Sequence, residues 1–317
     1  MKFALILCIA VISDGILVDP RSFPHPVRFL GHVINFWRGI FFTDTGSYIR
    51  GLAVVIMTVI TAGLSVCLAL FVTGGSVILE VYLLYSAIAW RDLKDETFPV
   101  LSALMKNDVE GARKSLSFVV GRDTENLNEA GITRAVIETV AENSVDGVMS
   151  VIFFAAVGWA VGGDYGMCAA VWVFKSASTL DSMLGYESFG RFGSPSAKLD
   201  DIMNFIPARL GGVIIILAGL FTGTGKNVRE AFGVFMSDRL KHKSPNSAHG
   251  ESAFAGVLGV RLGGGAEYGG KFESRPCLNE NANDPEISDI IEAWRLLDIS
   301  CLLSAVCCFP LGCELFL

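Results

Sequence analysis

Apolar and charged residues occupy separate long stretches of the chain. Residues 52–72 contain no charged side chain, whereas residues 91–146 carry an acid or a base every few positions. A bilayer core about 30 Å thick requires roughly 20 apolar residues in a helix, and residues 52–72 meet that length. The pattern predicts an all-α, polytopic integral membrane protein with large polar segments between its membrane helices.

Several weaker apolar stretches bring the expected number of membrane helices to about four to six. They are residues 1–18, 77–90, 205–221 and 296–317. The first resembles a signal peptide, but Ser13-Asp14-Gly15 is a poor match to a small-residue cleavage site. We therefore expect residues 1–18 to form a retained first helix.

Residues 148–174 are long enough to cross a membrane but are interrupted. Gly162-Gly163-Asp164 divides the stretch into runs of about 14 and about 10 residues, each short for a crossing. If the stretch crosses once, the polar segments on its two sides face opposite compartments. If it turns back as a re-entrant hairpin, they face the same one. Lysine and arginine flank both sides, so the positive-inside rule leaves this choice open.

Composition narrows the function classes. Hydrophobic residues make up 52% of the 317 residues and charged residues 18%, which is too apolar for a typical soluble chain. The net charge of −7 argues against nucleic acid as a partner, and the chain has no Cys-x-x-Cys pair of the kind that binds zinc. We expect one membrane-embedded domain, 1–317, in contact with lipid. Its polar segments are 19–51, 91–147, 175–209 and 226–295.

The first candidate cluster lies where the chain leaves the first apolar stretch. Pro24 and Pro26 flank His25 and prevent a preceding helix from continuing. His25 and Arg28 are thereby presented on an ordered segment. The alternative is a rigid turn with an interfacial arginine.

The second cluster is an acidic stripe. Arg134, Glu138, Glu142 and Asp146 are spaced four residues apart on a helix predicted from Thr133, so they share one face. Stacked carboxylates repel one another, and Mg²⁺ commonly binds through carboxylates together with substrate phosphates. The alternative is a solvated face on which Arg134 pairs with Glu138.

Gly121-Arg122-Asp123-Thr124 precedes this stripe, at the end of an amphipathic helix predicted over 98–120. The third cluster runs from Lys175 to Arg209. Asp200 and Asp201, with Asn204 after them, form a second possible Mg²⁺ site, which superficially resembles the acidic motif of membrane prenyltransferases.

The fourth cluster extends from His242 to Ser247 and continues to Glu251 and the glycines 263–265. Proline and glycine favour exposed backbone amides, which can bind an anion such as phosphate. An ordinary polar loop is the alternative. From the residues alone, the chain is a membrane enzyme or transporter that handles an anionic, phosphorylated ligand.

Taken together, the four clusters resemble the adenosylcobinamide-phosphate synthase family of cobalamin biosynthesis, the CbiB/CobD family. The resemblance covers most of residues 14–270, with one departure at Ser178, where asparagine is expected. It rests on Asp19–Gly31, Val120–Thr124, Arg134–Gly147, Thr179–Tyr186, Asp200–Leu210, Ser244–Ser247 and Ala255–Gly264.

The resemblance implies an ATP-dependent amide ligation at the plasma membrane, on its cytoplasmic face. Adenosylcobyric acid is joined to (R)-1-aminopropan-2-yl phosphate, or a related aminoalcohol phosphate, to give adenosylcobinamide phosphate. ATP and Mg²⁺ are the expected cofactors. Phosphoryl transfer would convert the carboxylate into an acyl phosphate, which the amine then attacks. Because ATP is cytoplasmic, this interpretation predicts that residues 148–174 reverse direction, with Gly162-Gly163-Asp164 at the turn.

Roles for individual residues follow from chemical type under this resemblance. Mg²⁺ and nucleotide phosphates are assigned to the carboxylates Glu138, Glu142, Asp146, Asp200 and Asp201. The catalytic set is His25, Arg28, Arg122, Asp123, Lys175 and Asp181, in which His25 or Asp123 accepts the amine proton. The cofactor-binding set is Asn143, Thr179, Ser182, Arg209, Lys243, Ser244 and Asn246.

Two other functions stay open at this point. A transporter of an anionic or corrinoid solute would require charged residues within its membrane helices. A Mg²⁺-dependent prenyl or phospho-alcohol transferase would use Asp200 and Asp201. The residues also leave open whether ATP yields ADP or AMP. They do not decide whether the chain forms a homo-oligomer, or a complex with downstream enzymes of nucleotide-loop assembly.

Overall fold

The computed structural model describes residues 1–17, 25–43, 45–223 and 228–308, which are predominantly helical. In chain order the helices are α1 Lys2–Ile16, α2 Pro26–Phe41, α3 Tyr48–Val72, α4 Val77–Tyr85, α5 Trp90–Leu104, α6 Val109–Leu116, α7 Glu129–Asn143, α8 Ser150–Leu184, α9 Gly190–Met203, α10 Phe205–Ala218, α11 Val228–Asp238, α12 Ser247–Leu258 and α13 Ile287–Cys308. Four short strands lie between α12 and α13: β1 Leu262–Gly263, β2 Ala266–Tyr268, β3 Lys271–Glu273 and β4 Cys277–Leu278.

Two compact units share the chain. The first unit contains the described residues of 1–89 and 150–205 and those from 305 onward, and the second unit contains those of 90–149 and 206–304. The segments predicted to be polar are largely helical in both units, and several of their helices, such as α2, α5 and α6, are amphipathic.

Helix α8 is a hairpin of two arms. Gly162 and Gly163 leave helical geometry, and Gly163 has φ +56°, a conformation that glycine adopts without strain. The ring centroids of Phe154 and Phe174 are 4.9 Å apart, whereas a straight helix would separate these residues by about 30 Å. The predicted pair of short helices with its turn at Gly162-Gly163 is therefore confirmed, and both ends of α8 lie at the same end of the hairpin.

Close backbone contact holds the two arms together. A Cβ atom built on Gly158 would collide with the carbonyl oxygen of Gly166, and one built on Gly166 would collide with that of Gly158. The arms can approach this closely only because both positions lack a side chain.

Fewer helices than predicted are long and apolar enough to cross a membrane. By length and composition there are two in the described part of the chain, α3 and the stretch Glu129–Leu184 that contains the α8 hairpin, or three if α9 and α10 form one broken span. The prediction of four to six is corrected for physical reasons. α1 has only 15 residues, α4 ends at Tyr85 after nine, and α13 begins at Ile287 with a charged first half. The remainder of the predicted stretch 296–317 lies outside the described residues from 309 onward.

Helix α3 organises the first unit. It packs against α2, α8 and α9, and its buried Val54 and Val55 meet Leu180 and Phe192 in the core. Its other face leaves large apolar side chains exposed: Ile56, Ile60, Leu64, Leu68 and Phe71. A continuous exposed apolar face is expected of a helix that contacts lipid.

In the second unit, α7 and α12 pack against each other beside two antiparallel ribbons, β1 with β4 and β2 with β3. The predicted helix over 98–120 is two helices, because Asn107 takes φ +57° and breaks it. Within the predicted polar segment 226–295, residues 271–289 contain β3, β4 and the start of α13. The all-α prediction holds apart from these ribbons.

Candidate functional site

A buried ion pair links the loop before α7 to the middle of that helix. The Arg122 guanidinium lies 2.7 Å from Glu138 Oε2, and both side chains are largely buried. The backbone N–H of Gly263 donates to Glu138 Oε1 at 2.7 Å. Both oxygens of this carboxylate therefore have partners, and a buried charge of this kind is stable only with such compensation.

Glu251 lies on α12, beside this pair. Its side chain is 4% exposed, and burial, followed by the nearby charges of Glu138 and Glu142, raises its pKa well above the usual range. The shift favours the neutral acid, because several carboxylates crowded together in a site of low polarity do not all ionise.

His242 faces the same carboxyl group. Its Nδ1 lies 3.2 Å from Ser247 Oγ and 3.5 Å from Glu251 Oε1. Burial and the charge of Arg275 lower the pKa of His242, so the imidazole is neutral at pH 7. Its other nitrogen, Nε2, is buried and meets no hydrogen-bond partner among the described residues.

A cavity of about 400 Å³ opens next to His242 and Glu251. Its lining is polar apart from one proline and carries acids and bases in equal number. The residues are Glu142, Lys241, His242, Lys243, Ser244, Ser247, Glu251, Glu273, Ser274, Arg275 and Pro276. A second, small cavity is lined by Arg122, Glu138, Gly263 and Gly265, and it shares His242, Glu251 and Arg275 with the larger one. The Arg122–Glu138 pair, His242 with Glu251, and the two cavities thus form one candidate site within the second unit.

The residues of the predicted acidic stripe of α7 have different surroundings in the structure. Arg134 pairs with Asp284 at 2.8 Å, not with Glu138. Glu142 lines the large cavity, whereas Asp146 lies beyond the end of α7 in a π-helical turn, Ser144–Met149, which shifts it off the regular spacing. Among the described residues, no group of three or more His, Cys, Asp or Glu could by itself hold a metal ion.

Asp123 is half-buried in the segment before α7. Its carboxylate accepts from the N–H of Gly270 at 2.7 Å, and its own N–H donates to the carbonyl of Glu267 at 2.8 Å. These bonds tie the β2–β3 turn to the segment before α7.

The predicted residues of the first unit lie on the second arm of the α8 hairpin and on α9. The hydroxyls of Thr179 and Ser182 donate to the carbonyls of Lys175 and Ser178, one helical turn earlier. Asp181, on the same arm, is close enough to Asp201 for their charges to interact.

Asp200 accepts from the buried Asn204 side chain, which in turn accepts from Ser150 Oγ at 2.8 Å. This chain of bonds connects α9 to the start of the hairpin. Asp200 and Asp201 therefore lie on one helix of the first unit, next to the arm that carries Asp181.

His25 and Arg28 are at the start of α2. His25 is the N-cap residue, and its Nδ1 accepts from the N–H of Val27 at 3.3 Å. Pro26 occupies the first helical position, where its missing N–H costs nothing. Residues 18–24, which begin the predicted motif, lie outside the described part of the chain.

The remaining predicted residues belong to the second unit. Arg209 donates to Asn246 at 3.4 Å, and the neighbouring His249 has its pKa lowered to about 4 by burial and by the charges of Arg209 and Arg239. Lys243 and Ser244 line the large cavity. Asn143 donates to the carbonyl of Thr139 within α7.

Sequence reasoning assigned no role to His242 or Glu251 and did not single out Arg275. One signal was available for Glu251, a lone acid in the small-residue helix Ser247–Leu258, whose other residues are nearly all buried. Arg275 lies in a segment that looks like a solvated loop, and only the β-ribbon brings it to the cavity.

Comparisons with known proteins agree with this layout. The model of the CobD/Cbib protein family matches residues 7–297. The cobalamin biosynthesis protein CobD of Clostridium perfringens is 36% identical, with 98% of each chain covered. CobD of Clostridium tetani is 37% identical over 92% of each chain, and CbiB of Salmonella typhimurium is 35% identical over 97% of each. No solved structure gives a significant match. The chain therefore belongs to the CobD/CbiB family of cobalamin biosynthesis proteins.

Proposed function

We propose that this protein is a membrane ligase that joins adenosylcobyric acid to an aminoalcohol phosphate in an ATP-dependent amide ligation, with adenosylcobinamide phosphate as the product. The observation that carries the proposal is the polar cavity of the second unit. Acids, bases and a neutral buried histidine line it, in a chain whose relatives are named cobalamin biosynthesis proteins.

This lining suits the chemistry of amide ligation. A carboxylate becomes reactive toward an amine only after one of its oxygens is made a leaving group, here as an acyl phosphate. Fixed positive groups then stabilise the phosphate and the developing oxyanion. Arg122 is such a group, since Glu138 holds it in place beside the smaller cavity.

The residues present fit a magnesium ion that arrives with the nucleotide. Glu138 is paired with Arg122, and Glu142, whose carboxylate oxygens are of the type that Mg²⁺ prefers, lines the cavity. Mg²⁺ is commonly held by one or two carboxylates together with substrate phosphates. Glu142 and Asp146 are the proposed ligands in the second unit, and the metal would neutralise charge on the transferred phosphoryl group. Asp200 and Asp201 are a separate proposed Mg²⁺ site in the first unit.

Membrane placement follows from the hairpin. We propose that both ends of α8 face the cytoplasm, where ATP is available, and that the turn at Gly162-Gly163 is inserted into the bilayer. In whole cells, single cysteines introduced at Arg122 and Asp181 should be blocked only by a membrane-permeant thiol reagent. Blocking of just one of them by an impermeant reagent would contradict this topology.

Purified protein in lipid nanodiscs tests the reaction. Incubation with ATP, Mg²⁺, adenosylcobyric acid and (R)-1-aminopropan-2-yl phosphate should give the amide product by mass spectrometry, with one nucleotide hydrolysed per amide formed. Omission of ATP should abolish the product. Tight corrinoid binding without any amide would contradict ligation and would favour a transporter.

A further inference from the structure

The cavity's charge balance points to the kind of molecule that it holds. Three of its lining residues are cationic, Lys241, Lys243 and Arg275, and three are acidic, Glu142, Glu251 and Glu273. Because Glu251 is held as the neutral acid, the lining carries one net positive charge, which matches a small molecule with one ammonium and one phosphate group. A triphosphate would require a larger excess of positive charge. Three serine hydroxyls in the lining add neutral donors for phosphate oxygens.

His242 is arranged to accept a proton from such a molecule. Ser247 and Glu251 both lie on the Nδ1 side of the ring, and in the tautomer in which Nδ1 donates to one of them the lone pair is on Nε2. Nε2 is buried without a partner among the described residues, and the ring lines both cavities. A buried, unsatisfied nitrogen costs free energy that a bound ligand would recover.

We propose that this cavity binds the aminoalcohol phosphate and that His242 Nε2 removes the proton from its amine, with Glu251 and Ser247 as positioning residues. This inference rests on the proposed function and extends it to the second substrate. Lys243 and Arg275 contact the phosphate.

The step balances in atoms and charge. The amine lone pair forms the C–N bond to the acyl carbon, and the C–O bond to the phosphate leaving group breaks. The aminoalcohol enters as an ammonium ion and loses one proton to His242 Nε2, which frees this lone pair. Inorganic phosphate departs with the bonding pair of the C–O bond and takes up the second proton, which nitrogen loses as the amide forms. No oxidant or reductant is needed.

Replacing the amine by hydroxylamine separates this step from carboxylate activation. Hydroxylamine is largely unprotonated near neutral pH, so it attacks an acyl phosphate without a base and gives a hydroxamate. In His242→Asn, ATP-dependent hydroxamate formation should stay within about twofold of wild type, while amide formation should fall about 100-fold. Amide formation within a few-fold of wild type, or equal loss of both products, would overturn the assignment.

The products of the wild-type protein show whether a negative result contradicts this inference or the proposed ligation on which it rests. Wild type that forms neither product overturns the ligation itself. Wild type that forms both products, with a variant that keeps only the hydroxamate, supports the role of His242.

A second measurement tests the subsite without relying on the folding of the histidine variant. Lys243→Met and Arg275→Met should each raise KM for the aminoalcohol phosphate about tenfold and leave KM for ATP within twofold. Lys271→Met, which removes an exposed lysine of β3 outside the cavity lining, is the matched control. A rise in KM for ATP alone would assign the cavity to the nucleotide and overturn the proposal.

Discussion

Each unit of this molecule contains a charged cluster with at least one buried acid, Glu80 in the first unit and Glu138 in the second, and the two clusters differ in what surrounds them. In the first unit, Lys2 Nζ lies 3.1 Å from Glu80 Oε1 and 2.5 Å from Asp164 Oδ2, which joins α1, α4 and the hairpin turn. In the second unit, Arg122 and Glu138 border a cavity that continues to Glu251. Neither of the cavities described above is lined by the residues of the first cluster.

This difference shows that a buried charge is a weak sign of function by itself. Structural ion networks and catalytic groups are both buried and both interact strongly with their neighbours. Accessible space beside the charges separates the two clusters here, because only a group that borders such space can touch a substrate.

The largest expected effect is from Arg122→Met. It leaves Glu138 as an unpaired buried carboxylate, so we expect a loss of about 3 kcal/mol in the free energy of unfolding. We also expect amide formation to fall about 100-fold through loss of charge stabilisation. Turnover and the thermal midpoint in nanodiscs measure both.

Arg295→Met is the control for this variant, because it removes a more exposed arginine that pairs with Glu292. If Arg122→Met lowers the thermal midpoint but leaves turnover normal, the Arg122–Glu138 pair has only a structural role, as expected for the Lys2 cluster of the first unit.

Matched glycine substitutions should separate the two regions next. A Cβ at Gly250 would lie 2.7 Å from the carbonyl oxygen of Ala141, at the contact that places Glu251 beside α7, whereas Gly158 lies inside the hairpin. Both Gly→Ala changes should cost about 1–3 kcal/mol through overpacking. Only Gly250→Ala should lower kcat, by about tenfold, and an equal loss of kcat in Gly158→Ala would remove the distinction.

Lys2→Met tests whether the first cluster is structural only. Removal of the lysine leaves the buried Glu80 without this cation and near the charge of Asp164, so we expect a loss of about 2 kcal/mol with kcat unchanged. The double variant Lys2→Met/Glu80→Gln should regain most of the thermal midpoint. A fall in kcat beyond the fraction of unfolded protein would show that this cluster also serves the reaction.

The smallest effect is expected at a surface network. Burial opposes ionisation of Asp284, but a hydrogen bond from Arg261 and the charge of Arg134 outweigh it and lower the pKa of Asp284. Asp284→Asn should therefore cost at most about 1 kcal/mol at pH 7, the range of partly exposed pairs. Because the folded pKa is depressed, the difference from wild type should persist above about pH 4 and vanish as the pH falls through the folded pKa. Thermal midpoints from pH 7 to pH 3 measure it, with Glu125→Gln as an exposed control.

Local features of the chain were predictable from sequence. The apolar run that ends at Gly162-Gly163 is too short to cross a membrane. A reversal of the chain at these glycines therefore follows from helix length and backbone freedom alone. Residues 52–72 lie within α3 because they are uniformly apolar. The number of membrane helices was overestimated because hydropathy does not show where a helix begins and ends. It does not show that α4 ends at Tyr85 or that α13 begins at Ile287, in a charged region.

The candidate site likewise has features that depend on local sequence and features that depend on tertiary packing. By itself, the sequence determined the helical class, the hairpin turn, the family and the polar segments that supply acids and bases, because each depends on residues close together in the chain. Only the tertiary structure decided that Glu138 pairs with Arg122 and not with Arg134, and that His242 and Arg275 meet Glu251 at one cavity. These choices depend on which helices and ribbons pack together. The free energy of a charge is set by neighbours that are far away in the sequence, such as Gly263, which is 125 residues from Glu138.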